Sequence, residues 1–246
     1  MSHIALRRIA IRLLHDPELV HALHGNPAQA LAGVELSADE IAWLVGVPVA
    51  TWRTDPERPR RLLHALEDEF PATMRLAPNR APRFFASPHF HAAIQNRGSL
   101  ANAFASFMAE DPDPRVMALA VLEGGTAAVR RAPARSNPSP PGYCRIAPHA
   151  RIVRVRREAP ALLAALRRHG PQPRLETAEE DVLILRNPET SEVTIESLST
   201  ELHAILRHAE ALGPVEDLIA VARSLGAHQT EARGLFHDLV ASAILV

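Results

Sequence analysis

Histidines are the residues of this chain whose number and spacing most directly suggest chemistry. The chain has 246 residues and 13 of them are histidines, and neutral imidazole is a common metal ligand. His89 and His91 are two residues apart, so their side chains face opposite sides of a strand or diverge by about 200° on a helix. His15, His21 and His24 come closer to helical spacing, but no acidic residue joins them in an HExxH arrangement. We therefore predict that the chain has no metal site.

Other catalytic motifs are missing from the sequence. It contains no GxSxG, no glycine-rich phosphate loop and no CxxC pair, which are the patterns that position a nucleophile, a nucleotide or a redox disulfide. The single cysteine, Cys144, permits no internal disulfide and is expected to be a plain thiol in a loop. Glu123, Gly124 and Gly125 are interpreted as a helix irregularity. We predict that the chain is not an enzyme, has no catalytic residues and needs no cofactor.

The composition is that of a globular protein of balanced charge. Lys and Arg together number 27 and Asp and Glu 28, and 47% of the residues are hydrophobic. No stretch approaches the roughly 18 consecutive apolar residues that span a bilayer. The N-terminal segment MSHIALRRIAIRLLHDPEL carries its arginines inside the apolar pattern, unlike a secretory signal. We expect a cytoplasmic protein that does not bind membranes.

The first half of the chain reads as a series of short helices. Asp16 and Asn26 each precede a proline, which is the order of an N-cap and a first helical residue. Ser37 and Glu40 form the pattern of a capping box ahead of an apolar run. These signals predict an all-helical N-terminal domain.

The last third predicts a small sheet followed by helices. ARIVRVRR reads as a strand, and DVLILRN and EVTIES alternate apolar and polar residues on either side of a turn at residues 187–191. Three stretches with helical apolar spacing follow. This order is typical of a winged-helix-like module with a three-stranded antiparallel sheet.

A proline-rich segment separates these two parts. It holds five prolines together with serine and glycine over residues 133–148, a composition typical of an extended, poorly packed linker. We therefore predict an α+β chain with a helical domain at 1–132, a linker at 133–148 and a winged-helix-like peptide-recognition domain at 149–246.

Winged-helix modules bind either nucleic acids or peptides, and charge favours the peptide here. The last helical stretch offers only Arg233 beside Glu231 and Asp238, which is a poor grip on phosphates. An edge strand, by contrast, captures an extended peptide through its free backbone groups. We predict that the chain does not bind nucleic acid. A winged-helix DNA-binding transcriptional regulator remains the alternative.

Several segments resemble a known family when they are taken in order. HDPELVHALHGNPAQALAGVELSADEIAWL, then Phe70-Pro71, then ALAVLEGGTAAV resemble the helical domain of partner proteins of multinuclear non-heme iron-dependent oxidative enzymes, as in the methanobactin and thiaglutamate pathways. VLILRNPETSEVTIESLSTELHAILRHAEALGPVEDLI and FHDLVASAIL are similar to the precursor-recognition module of such partners and of the small pyrroloquinoline-quinone peptide chaperone.

The resemblance implies a non-catalytic subunit of a peptide natural-product pathway. Such a subunit binds the leader region of a ribosomally made precursor peptide and presents the core to a barrel-fold multinuclear iron enzyme, as a heterodimer with that enzyme. The matching peptide-binding positions are Val193, Thr194, Ile195 and Glu196 on the second hairpin strand, and Leu235, Phe236, Leu239 and Val240 on the last helix. For Leu235 and Leu239, periodicity leaves open the alternative that they close the module's own core.

Overall fold

The chain consists of two compact units. The computed structural model describes residues 3–53, 55, 57–133 and 138–246, and it divides into residues 1–110, called here the helical unit, and 111–246, called the sheet unit. Helices and strands are both present, and the sheet unit contains a three-stranded antiparallel sheet. This confirms the predicted mixture of helix with such a sheet.

The regular elements described in the helical unit are short helices. In order they are α1 (His3–Leu13), α2 (Pro17–Gly25), α3 (Pro27–Ala30), α4 (Ala38–Gly46), α5 (Val49–Trp52), α6 (Arg58–Glu69), α7 (Pro71–Leu76), a 3₁₀ helix (Ala81–Ala86), α8 (Pro88–Gln95) and α9 (Leu100–Met108). The predicted caps are present. The Asp16 carboxylate accepts from the Leu19 amide at 2.9 Å, and Ser37 and Glu40 make both bonds of a capping box, at 2.8 and 3.2 Å.

Phenylalanines form the core of the second half of this unit. Phe84 is fully buried, and its ring meets those of Phe90 and Phe104 edge-on at centroid distances of 5.3 and 5.2 Å. Edge-to-face pairs of this kind add to the stabilisation that burial alone supplies. Contacts between aromatic rings therefore hold these short helices together.

The sheet unit mixes helices with two small sheets. Its elements are α10 (Pro114–Arg131), β1 (Tyr143–Cys144), β2 (Ala150–Arg156), α11 (Ala159–Arg167), β3 (Glu179–Arg186), β4 (Val193–Ser197), α12 (Thr200–Arg207), β5 (Gly213–Pro214), α13 (Val215–Ser224) and α14 (Gln229–Ala241). The larger sheet has the antiparallel order β2-β3-β4, and β1 pairs with β5. The predicted hairpin and the three helices after it are confirmed.

The central strand β3 has apolar side chains on both faces. Leu183 belongs to the core formed with α12, α13 and α14, whereas Ile184 points to the opposite face, where α10 lies against the sheet. A Cβ atom on Gly125 would overlap Cδ1 of Ile184 and lie 3.5 Å from Cγ1 of Val153. Gly125 therefore permits close contact between helix and sheet, and α10 is continuous through this position rather than irregular.

This packing puts the boundary between the units at a different place from the predicted one. The sequence predicted a helical domain ending at residue 132, but the first unit ends at Glu110 and α10 belongs with the sheet. The buried Arg186 on β3 also holds the end of α10, because its guanidinium donates to the carbonyl oxygens of Arg130, Ala132 and Pro133 at 2.9, 2.9 and 3.2 Å. Periodicity identifies a helix but does not say which surface the helix covers.

The predicted linker also differs from expectation over the part that the structure describes. Residues 134–137 lie outside the described residues, but the rest of 133–148 includes the strand β1 and the buried Cys144 and Ala147. Arg145 and Val246 exchange two backbone hydrogen bonds, at 3.0 and 2.9 Å. Cys144 is therefore a buried residue of a short strand and is not in a loop, and its burial raises the pKa of its thiol. A proline-rich composition indicates an extended backbone. It does not distinguish an extended linker from an extended segment that pairs as a short strand.

The contact between Gly125 and Ile184 can be tested with a double-mutant cycle. Gly125→Ala should cost about 1–3 kcal/mol by overpacking, partly offset by about 1 kcal/mol of helix propensity. Ile184→Val removes the Cδ1 atom in the way, so Gly125→Ala should be at least about 1 kcal/mol less destabilising in that background. Urea unfolding of the four proteins measures this.

The matched control for this cycle is Gly234→Ala on α14. No atom lies within 4 Å of a Cβ added there, so this change should stabilise the protein by about 0.5–1 kcal/mol. If the effects of Gly125→Ala and Ile184→Val on the free energy of unfolding are strictly additive, the close contact between α10 and the sheet is contradicted.

The corrected boundary predicts which fragment folds. A fragment of residues 111–246 keeps α10 over the sheet and should show one cooperative thermal transition. A fragment of 147–246 exposes Val153 and Ile184, loses β1, and should unfold at a lower temperature or fail to fold. Circular dichroism of both fragments is the measurement. Equal stability of the two would restore the boundary predicted from the sequence.

Candidate peptide-binding site

The first part of the candidate site is the outer edge of β4. This strand pairs with β3 in the antiparallel register Ile184↔Ile195, and within the described part of the chain nothing pairs with its other side. The predicted residues Val193, Thr194, Ile195 and Glu196 all lie on this edge strand.

The turn before β4 sets its register through a side chain. Asn187 Oδ1 accepts from the amides of Glu189 and Thr190 at 2.8 and 3.1 Å, which is the local bonding that makes asparagine a turn residue. Ser191 adopts a left-handed conformation with φ of 63°. The hairpin is thus closed by its own sequence.

Two backbone hydrogen bonds bracket the strand pair. The Asn187 amide donates to the Glu192 carbonyl and the Leu198 amide donates to the Asp181 carbonyl, both at 2.8 Å. In an antiparallel ladder, hydrogen-bonded pairs alternate with non-hydrogen-bonded pairs. Every second residue between these two bonds therefore directs its backbone groups towards β3.

This alternation divides the residues of β4 into two sets. Thr194 and Glu196 direct their N–H and C=O groups towards β3, and their side chains are exposed. Val193, Ile195 and Ser197 direct theirs towards the open edge. The side chains of Val193 and Ile195 are half-buried on the face that carries Ile184. Residue type could not separate these sets, because the separation depends on the register.

The four predicted residues of α14 have different environments. Leu239 is 5% exposed and belongs to the core of the unit, and Leu235 and Phe236 pack against the same core. Val240 is 42% exposed. The prediction that Leu239 offers a wall to a peptide is therefore wrong, because this side chain closes the core below α14.

Phe236 and Val240 instead line an open groove that the sequence did not predict. Its cavity volume is about 670 Å³. Residues 138–143, including the exposed Tyr143, form the opposite wall, and none of the predicted β4 residues lines it. The two halves of the predicted site are therefore not brought together in one cavity. The alternation of Cys144 and Ile146 was the signal that this segment is part of the fold.

Arg154, Asp181 and His203 form one charged cluster within the sheet unit. Arg154 makes a two-pronged contact with Asp181, at 3.0 and 2.9 Å, and Nδ1 of His203 lies 3.1 Å from the same carboxylate. The hydrogen bond from Arg154 is the main cause that lowers the pKa of Asp181. These contacts link β2, β3 and α12, so Arg154 is engaged in holding the module together.

His89, His91 and His15 make separate contacts within the helical unit. His89 and His91 diverge on α8 as their spacing predicts, since His89 Nε2 lies 2.8 Å from Glu110 Oε1 while the buried His91 ring bonds the Phe85 carbonyl. His15 stacks on the ring of Phe85 at a centroid distance of 5.6 Å. Among the described residues, no group of three or more His, Cys, Asp and Glu side chains has the arrangement of a metal site.

The sequence matches no model of a protein family and no curated protein. Within the described residues, helices that combine the length and the apolar character needed to cross a membrane do not occur.

Burial of two imidazoles predicts how stability depends on pH. Burial is the main cause that lowers the pKa of both His15 and His91 below the ordinary value of 6.5. The unfolded chain therefore binds more protons than the native chain below about pH 6.5, so the free energy of unfolding should fall as the pH is lowered from about 7.5 to about 5.5. Urea unfolding at both pH values measures the change.

Replacing a buried imidazole should weaken this dependence. His91→Gln removes one of the two groups and should flatten the pH profile, whereas the exposed His64→Gln in the same unit serves as the control. An equally steep profile in the His91 variant would show that other groups cause the dependence.

Proposed function

We propose that this chain is a non-catalytic partner subunit that binds the leader of a ribosomally synthesised precursor peptide. It presents the peptide core to an iron-dependent oxidative modifying enzyme of barrel fold, with which it forms a heterodimer. In this proposal the sheet unit is a winged-helix-like recognition module and the helical unit docks on the enzyme.

The observation that carries the proposal is the open edge of β4. Val193, Ile195 and Ser197 direct backbone donors and acceptors outward, as inferred from the register. A leader in extended conformation would add a fourth strand there, and its side chains would alternate between the two faces of the sheet. Backbone hydrogen bonds supply affinity that depends little on the peptide's side chains. Such binding suits a leader, which is held but not modified.

The division into two units suits a delivery role. A leader held by one unit keeps the core near an enzyme bound by the other, so the core is present at a high effective concentration and its own contacts with the active site can be weak. Such a subunit contributes to turnover without contributing a catalytic group.

Charge favours this function over duplex binding. The exposed residues of α14, the helix that would enter a groove of DNA, include Glu231, Arg233 and Asp238. A helix that binds a duplex normally carries an excess of basic residues to neutralise phosphates. The backbone groups at the outer edge of β4 are neutral, so peptide binding there needs no excess of basic residues.

The proposal predicts the effect of proline on β4. Ile195→Pro removes an outward N–H and leaves the bonds to β3 in place, so it should weaken leader binding by about 1–3 kcal/mol, which is roughly 5- to 150-fold in Kd. The measurement is titration calorimetry with the leader of a short precursor peptide encoded beside this chain.

Two further variants make the test specific. Ile195→Ala removes the side chain but keeps the N–H, and it should bind the leader better than Ile195→Pro. Thr194→Pro removes an inward N–H and should lower the thermal stability of the sheet unit. If Ile195→Pro and Ile195→Ala bind the leader equally well, the peptide does not pair with this edge. Failure to co-purify with an adjacent barrel-fold enzyme would contradict the docking role separately.

A further inference from the structure

The helical unit contains a cavity that plays no part in the function proposed above. Its volume is about 510 Å³. Arg8 and Arg12 of α1 line one side, and Pro88 and His91 of α8 line another. The remaining lining is mostly small and apolar, except for the exposed Glu35. Few polar groups in an apolar setting are typical of a site that orients one small ligand.

The two arginines form one face of α1 and are available to a ligand. They are four residues apart, so they are neighbours on the helix surface and repel each other. Nε of Arg12 contacts Asp16 at 3.2 Å, which leaves its terminal nitrogens as donors. The Arg8 side chain has no hydrogen-bond or ion-pair partner among the described residues. An anion between the two guanidinium groups would relieve the repulsion.

His91 supplies an acceptor to the same cavity. His91 is 8% exposed, and its Nε2 lies 3.2 Å from the Phe85 carbonyl oxygen. A carbonyl only accepts, so Nε2 must carry the proton. In the neutral ring Nδ1 is then an unprotonated acceptor, and it has no partner among the described residues.

The electrostatic surroundings of His91 are positive. After burial, which is the largest cause, the charges of Arg12 and Arg8 lower the pKa of His91, and no carboxylate acts on it in the opposite direction. Glu35 is not among the groups that act on His91. The cavity therefore combines a positive potential, two guanidinium donors and one neutral acceptor.

We propose that this cavity binds a small oxyanion that carries its own O–H donor, namely hydrogenphosphate. Its charged oxygens accept from Arg8 and Arg12, and its hydroxyl donates to Nδ1 of His91. Sulfate has the same charge and nearly the same size but no proton to donate at neutral pH, so it leaves the His91 acceptor unpaired.

The two anions therefore form a matched pair of probes. Titration calorimetry of the full chain at about pH 7.5 should show saturable phosphate binding at least about tenfold tighter than sulfate binding at equal ionic strength. Equal affinities would overturn the role of His91. The absence of saturable phosphate binding up to about 20 mM would overturn the site itself.

A pair of arginine variants tests the geometry. Arg8→Gln should weaken phosphate binding by about tenfold or more. Arg7→Gln removes the same charge from an exposed neighbour that does not line the cavity, and its effect should stay within about twofold because solvent and salt screen it. Equal weakening by the two variants would show diffuse charge attraction instead of a site.

Discussion

The register of β3 is the constraint on which the sheet unit depends. This strand bonds β2 on one side and β4 on the other, and its side chains alternate between two covered faces. Leu183 faces the helices that follow the sheet, and Ile184 faces α10. A slip of one residue would exchange these faces and place a charged residue such as Asp181 in a core. The side-chain turn at Asn187 and the paired Arg154 and Asp181 hold the register from both ends.

The same register determines what β4 can offer to a partner. Because β3 uses the backbone groups of Thr194 and Glu196, those of Val193, Ile195 and Ser197 are left at the edge. An open edge is a hazard for aggregation unless it is short or charged, and β4 has only five residues. Its shortness limits pairing between copies while leaving room for one extended segment, which supports the proposed binding of a leader.

In the helical unit, one set of contacts links stability with recognition. Phe90 contacts the rings of both His15 and His91, and burial lowers the pKa of both imidazoles. The hydrogen bond from His91 to Phe85 fixes which nitrogen carries the proton. Burial therefore predicts a unit that is sensitive to acid, and the hydrogen bond to Phe85 leaves Nδ1 of His91 as the acceptor proposed to face the cavity beside α1.

The sequence by itself determined the local elements. Alternation over DVLILRN and EVTIES identified the hairpin, and cap residues such as Asp16 and Ser37 marked the helices, because these signals act between residues close in the chain. The spacing of His89 and His91 also sufficed to show that their side chains diverge on a helix.

Only the tertiary structure decided which surfaces these elements cover. The apolar face of α10 fits any hydrophobic partner, and nothing local assigns it to Val153 and Ile184 of the sheet. Residues 138–148 look like a linker by composition, yet their backbone pairs with the chain end at Val246. Leu239 and Val240 are adjacent in sequence, but one is in the core and the other lines a groove. Packing between distant segments sets these environments, and residue type and local period do not contain that information.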